Sequence, residues 1–330
     1  MVLGNMGRHH NTQHRQHTHE ATGGALRSLI IHNLGSGFGS AEIFEFEREL
    51  IGMGDECVMR SLSRKTPAAD LLTDAEEFDL VVVSGGDGTV TNALYALRNR
   101  DVMTCVFPSG TANLLFANLG NAPEPAAIAN ACRKHMTREL DLGEICWTDG
   151  EGNEQRKGFG IMSGIGFDAQ LMQSASVNKQ TLGEAAYFAA VLDNLKPTVS
   201  TFTITVDGKT YERKGISCIV ANTAMMQGDI NIIPGCTMDD GMLDVMVLAT
   251  TDAVHLLIPI IAGIFDPMGQ VIGRPRIEHF KGSSIRVESS VPLPIQTDGD
   301  PVGDVVSSYE ATCLPASNLI VVDNHSPYAR

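Results

Sequence analysis

A chain of 330 residues has room for two domains of ordinary size, and 43% hydrophobic against 19% charged residues excludes a wholly disordered one. The net charge is −15, and the deficit is shared: residues 1–150 hold 12 basic and 19 acidic side chains, residues 151–330 hold 12 and 20. Neither half is a basic module, so a nucleic-acid backbone is excluded as a natural partner. Seven scattered cysteines with no C-x-x-C pair point to reduced thiols in a cytosolic protein, not to a disulfide framework or a zinc site.

Residues 1–25 form a His- and Gln-rich leader without the apolar core of a secretory signal. His9, His10, His14, His17 and His19 lack regular ligand spacing, and the segment is expected to be disordered. Ser28–Asn33 reads as a buried strand running into the turn Leu34-Gly-Ser-Gly-Phe-Gly39, with a helix over Ala41–Leu50 and a strand near Glu56–Ser61. Leu80–Ser84 is a second apolar run, punctuated by Gly85-Gly-Asp-Gly-Thr89 and followed by a helix over Asn92–Arg98. Val102–Phe107 is a third, ending at Pro108-Ser-Gly-Thr-Ala-Asn113. Apolar strands alternating with helices predict a parallel sheet covered on both faces, over residues 26–140.

The texture changes near Leu140. Short strand-like runs follow at Thr201–Val206, Ile216–Asn222, Leu243–Ala249, Ser284–Glu288, Leu293–Thr297 and Asn318–Val322, with turns at Asp207-Gly208 and Asp240-Gly241. They predict an antiparallel β-sandwich over residues 141–330, with helices around Leu182–Leu195 and Asp252–Phe265 and an extreme C-terminus free to return to the first domain. The apolar stretch Ala253–Phe265 is too short to span a bilayer. Pro259 and Gly263 favour its burial, and contact with lipid stays open.

Three Gly-rich turns after three parallel strands are the main functional signal, because ligands bind in the crevice at the carboxyl ends of such strands. Glycines let backbone N–H groups approach an anion, and a helix N-terminus adds favourable potential. The chain lacks G-x-x-x-x-G-K-[ST], and G-x-G-x-x-G is absent after the first strand, so the cradle is of another kind. Asp87 would repel phosphates unless a divalent cation or a hydroxyl proton lies between them, which points to Mg²⁺-bound triphosphate or a held acceptor alcohol. The alternative is a helix cap.

Gly85-Gly-Asp-Gly-Thr89, Pro108-Ser-Gly-Thr-Ala-Asn113, Gly164-Ile-Gly-Phe-Asp168, Asp239-Asp-Gly-Met-Leu-Asp244 and Asp298-Gly-Asp300 occur in this order. Together they resemble the diacylglycerol kinase catalytic-domain family, bacterial soluble lipid kinases related to sphingosine and ceramide kinases, over roughly residues 26–322. The resemblance implies an ATP-binding α/β domain like that of NAD kinases, a C-terminal β-sandwich lipid-substrate domain, and a cleft between them. It implies ATP contacts at Asn33, Ser36 and Gly37, at Gly85, Gly86, Asp87, Gly88, Thr89 and Asn92, and at Gly110, Thr111 and Asn113, with Ser61 as the hydroxyl after the second strand. Asp298 and Asp300 match the carboxylates assigned the base role toward the lipid hydroxyl, with Asp87 also at the reacting centre. Asp168 matches a position near the acceptor head group. Asp240, with the carbonyls of Thr237 and Met242, matches a structural Mg²⁺ site. Leu34, Asn92, Leu114 and Asp300 stand where the family commonly has Pro, Glu, Asp and Glu.

The expected activity is transfer of the γ-phosphate of ATP to the hydroxyl of a diacylglycerol-like lipid, giving phosphatidic acid or a similar lipid phosphate. A sphingoid-base or ceramide kinase, a more remote NAD kinase, and a non-catalytic nucleotide- or lipid-binding protein are the alternatives. A lipid acceptor implies a cytoplasmic protein that docks transiently at a membrane. Arg274, Arg276, Lys281 and Arg286, against Glu278 alone, form the one basic island suited to anionic head groups, or else a solvated loop. A homodimer is neither required nor excluded.

Overall fold

The structure, a computed structural model, describes residues 24–36, 41–63, 66–167, 169, 197–226, 230–231, 233, 235–248 and 279–329. The His-rich leader, Gly37, Asp168, the stretches 182–195 and 252–265, Arg274 and Arg276 lie outside the described residues.

The N-terminal part runs β1 (Arg27–Asn33), α1 (Glu42–Gly52), β2 (Glu56–Leu62), α2 (Ala68–Leu71), β3 (Leu80–Gly85), α3 (Asp87–Leu97), β4 (Met103–Pro108), α4 (Leu114–Leu119) and α5 (Pro125–Arg133). The four strands are parallel in the order β2-β1-β3-β4. Leu29, Ile30, Ile31 and Leu80 to Val83 are wholly buried, as continuous apolar runs are when helices cover both faces. Helix α1 shows one apolar stripe, Ile43, Phe46 and Leu50, and Phe46 packs on Phe107 of β4 with ring centroids 5.3 Å apart. Pro125 opens α5, where its missing N–H costs nothing. Helix α3 begins at Asp87, five residues before the helix expected from Asn92, because the glycine loop itself forms the first turn.

The C-terminal part is β-rich: β5 (Thr137–Thr148), β6 (Glu154–Phe159), β7 (Met162–Gly166), β8 (Ser200–Val206), β9 (Lys209–Gly215), β10 (Ser217–Ala221), β11 (Met225–Met226), β12 (Ile230–Asn231), β13 (Leu243–Leu248), β14 (His279–Gly282), β15 (Ser284–Thr297) and β16 (Asp300–Val321). Strand β8 alternates buried and half-buried residues along its length, the pattern of a strand with one face on a core. The runs expected at 284–288 and 293–297 are one strand, β15, interrupted by a register shift between Glu288 and Leu293. The run expected at 318–322 is the end of β16, 22 residues long.

Strand β16 joins the two parts. It pairs with β15 and β5 antiparallel, then Leu319 and Ile320 run parallel to Met103 and Thr104 of β4. The principal sheet is therefore one mixed 14-stranded sheet. Two large cores lie along it, one around Leu29, Val82, Phe107 and Ile320, the other around Phe159, Phe202, Val245 and Tyr309, with a smaller cluster around Ile219 and Met246.

Candidate active site

The carboxyl ends of β1, β3 and β4 bring the three glycine-rich turns together, and side chains tie them to one another. Asn33 Nδ2 donates to Thr89 Oγ1 at 2.7 Å while Asn33 Oδ1 accepts the Gly35 N–H at 3.0 Å, so the first loop is bound to the second. The Ser109 N–H donates to Gly85 O at 3.3 Å, and a Cβ on Gly110 would lie 2.4 Å from the Cα of Gly86. The second and third loops thus meet backbone to backbone, which no other residue type at position 110 permits. Asn113, in the left-handed region at φ 48°, closes the third loop: its Oδ1 accepts the Gly110 N–H at 2.7 Å and its Nδ2 donates to Gly110 O at 2.9 Å. Asp87 Oδ1 accepts the Leu115 N–H at 2.9 Å, capping α4 rather than its own helix. A hollow of about 480 Å³ opens beside the third loop, lined by Pro108, Asn113, Phe116 and Pro123 with Glu42 and Glu124 at its rim.

Beneath the loops lies a buried polar chain invisible in the sequence. His32 Nδ1 meets Ser84 Oγ at 2.9 Å, and Ser84 Oγ meets Ser109 Oγ at 2.6 Å, one residue from each of the three strands or the turns that follow them. Burial lowers the His32 pKa from its ordinary value, so the imidazole is held neutral.

Opposite the loops stands the β15–β16 hairpin. Asp298 and Gly299, at φ 49° and 84°, form its two-residue turn, with Thr297 paired to Asp300. Two successive positive φ values define the turn type that Asp-Gly favours. The two carboxylates differ sharply. Asp298 accepts four hydrogen bonds: Gly160 N–H at 2.8 Å, Ile161 N–H at 2.9 Å, Met162 N–H at 3.0 Å and Thr91 Oγ–H at 2.7 Å. It clamps α3 to the β6–β7 turn. Burial outweighs the four donors and holds its pKa above the ordinary carboxylate value. Asp300 is exposed, and its Oδ2 lies 2.7 Å from where a Cβ on Gly88 would be. The second loop and the hairpin therefore face each other closely, with the Asp300 carboxylate in the space a side chain at 88 would enter.

Other expected site residues sit more loosely. Asn92 and Thr111 are exposed at the rim, and Ser61 is exposed near the end of the edge strand β2, opposite His32 of β1. Gly37 and Asp168 lie outside the described residues. The loops offer a phosphate one unpartnered polar atom beside their glycines: Ser36 Oγ is buried without a hydrogen-bond partner.

At the expected structural cation site a lysine stands beside the carboxylate. Asp240 Oδ1 accepts the Met242 N–H at 3.0 Å, and its Oδ2 lies 2.7 Å from Lys281 Nζ, an ammonium already in place. Two unit charges 4 Å apart repel by about 4 kcal/mol at an effective dielectric of 20, and a divalent ion doubles that. Among the described residues no cluster of three or more His, Cys, Asp or Glu side chains is arranged to hold a metal. The basic island also changes character: Lys281 pairs with Asp240 and Asp244, and Arg286 with Glu288 and Glu310.

Two family models match. Residues 27–145 match the diacylglycerol kinase catalytic domain, and residues 161–322 match the YegS C-terminal NAD kinase beta sandwich-like domain. The chain belongs to the diacylglycerol kinase catalytic-domain family. That family is one of lipid kinases, which are transferases. It is 29% identical over 256 residues to a diacylglycerol kinase of Mycobacterium tuberculosis (strain H37Rv), covering 76% of this chain and 79% of that one. It is 27% identical over 231 residues to a diacylglycerol kinase of Bacillus subtilis (strain 168), covering 68% and 72%. An uncharacterized Synechocystis protein matches at 27% over 270 residues, 78% of this chain but only 58% of that longer one. A crystal structure of a diacylglycerol kinase from Bacillus anthracis str. Sterne shares the fold, with a TM-score of 0.68 at 21% identity over 91% of this chain and 98% of that one. Among the described residues no helix is long and apolar enough to cross a membrane.

Proposed function

We propose that the protein transfers the γ-phosphate of ATP to the hydroxyl of a diacylglycerol-like lipid. The observation that carries this reading is the approach of Asp300 to Gly88, which sets a free carboxylate directly against a glycine loop built for phosphates. ATP, held on the three loops, supplies the phosphoryl group. The loops carry no cationic side chain and three carboxylates, Asp87, Asp298 and Asp300, stand around them, so a divalent ion is needed to neutralise the triphosphate. Asp87, oriented through its Oδ1, would hold that Mg²⁺.

Phosphoryl transfer asks mainly for positioning and charge stabilisation. Asp300 orients the lipid hydroxyl and takes its proton as the new P–O bond forms, the bond to the β-phosphate breaks and ADP leaves. Asp298, with its oxygens occupied by four internal donors, positions the hairpin so that Asp300 meets the loop. The relatives named as diacylglycerol kinases and YegS-like lipid kinases support the lipid as acceptor.

Reaching a membrane-dissolved acceptor requires transient docking at the bilayer. Lys281 and Arg286 are ion-paired within the chain, Arg286 at the surface, and Arg274 and Arg276 would add the docking charges of the island. Transfer of labelled phosphate from ATP is to be measured with Mg²⁺ in mixed micelles carrying diacylglycerol, sphingosine, ceramide or NAD. The reading predicts label in the diacylglycerol fraction. Label only in sphingosine, ceramide or NAD would reassign the acceptor, and nucleotide binding without transfer to any of them would make the protein a non-catalytic member.

A further inference from the structure

The loop between Gly235 and Asp244 offers oxygens that converge on one point, and that point is taken by a side chain of the protein itself. Lys281 Nζ lies 2.7 Å from Asp240 Oδ2, 3.2 Å from Gly235 O and 3.3 Å from Asp244 Oδ2. Register fixes it there, because Lys281 of β14 is the cross-strand partner of Asp244 in β13. Asp244 is almost fully buried, so its charge needs an internal counter-ion. We propose that Lys281 is a built-in cation that replaces a divalent metal at this loop, and that the loop holds its shape without Mg²⁺. This goes beyond the kinase reading and does not depend on which lipid is phosphorylated.

The consequence reaches the junction of the two parts. The Gly241 N–H donates to Asp141 Oδ2 at 2.7 Å, and the other oxygen of Asp141 accepts the Ala316 N–H at 2.7 Å. The Asp141 N–H itself donates to Met238 O at 2.7 Å. A loop locked by an ammonium therefore seats the point where β5 and β16 cross between the cores, whatever the divalent concentration. Any Mg²⁺ requirement of the protein then belongs to the nucleotide alone.

The test uses full-length protein without nucleotide, melted in EDTA and in millimolar Mg²⁺. Wild type and Asp240→Asn are expected to respond identically to Mg²⁺. Lys281→Met, which frees Asp240 Oδ2, Asp244 Oδ2 and the Gly235 carbonyl together, is expected to gain a Mg²⁺-dependent rise of about 2–4 °C in Tm. Adding Asp240→Asn should abolish that gain. A wild-type Mg²⁺ response that Asp240→Asn removes would overturn the proposal, as would a folded Lys281→Met variant with no gain. Counting Mn²⁺ sites by electron paramagnetic resonance on wild type and Asp240→Asn needs no lysine variant. Equal counts are expected, and one site fewer in Asp240→Asn contradicts the assignment.

Discussion

The two halves of the candidate site are built from different materials. On the N-terminal side the working surface is backbone: amides at the ends of β1, β3 and β4, exposed by glycines and tied together by Asn33, Asn113 and the Gly86–Gly110 contact. On the C-terminal side it is two side chains at one tight turn, with opposite fates. Asp298 is consumed by structure and Asp300 is left free. A motif of two acidic residues around a glycine thus holds one carboxylate inside the hairpin and leaves the other exposed toward the glycine loop.

Replacing the free carboxylate gives the largest effect on rate. Asp300→Asn is expected to lower kcat by roughly 10²–10⁴-fold, the range for loss of a general base, with nucleotide affinity and Tm unchanged. Steady-state kinetics beside a nucleotide-binding titration checks this. Gly88→Ala comes next: its methyl would occupy space 2.7 Å from Asp300 Oδ2 and push the carboxylate aside. Misplacement on the ångström scale costs about 10²-fold, and the loss should fall on kcat rather than on nucleotide binding.

Changing the structural carboxylate should act on stability first. Asp298→Ala strands the amides of Gly160, Ile161 and Met162, and is expected to cost on the order of 3 kcal/mol of unfolding free energy. Denaturant titration measures it. If Asp298→Ala kept full stability and lost only turnover, the division between the two carboxylates would fail.

The smallest effect concerns His32. Its folded pKa is depressed, so below the unfolded value near 6.5 the unfolded chain binds more protons than the folded one. Stability should therefore fall as pH drops through that value, and His32→Asn should flatten the decline between about pH 7 and 5. Melting scans across that range test the sign.

Much of the first half was legible because its signals are local. The apolar runs of β1, β3 and β4 and the glycine turns after them need only neighbouring residues to be recognised. The second half was less so. Strand β9, Lys-Thr-Tyr-Glu-Arg-Lys-Gly, is largely polar, and its partner β8 supplies the buried face, so a search for apolar runs passes over it. Strand β16 reads as a single short strand at 318–322, because Gly303 and Pro315 break its pattern, and its pairing is interrupted around both before it resumes. The decisive contacts are also long-range. Thr91 and Asp298 are 207 positions apart, and nothing local distinguishes the enclosed carboxylate of Asp298 from the open one of Asp300. The same holds for Lys281, which reads as part of a basic surface island until β14 sets it against Asp244. The ammonium beside Asp240 was hidden for the same reason.

The central claim is that Asp300, not Asp298, meets the acceptor hydroxyl at the glycine loop. Single-turnover transfer of the γ-phosphate from ATP to diacylglycerol, run on wild type, Asp300→Asn and Asp300→Glu with nucleotide saturating, tests it most directly. Wild type should transfer the phosphate, Asp300→Asn should lose at least about 10²-fold, and Asp300→Glu should recover substantially. Undiminished transfer by Asp300→Asn would contradict it.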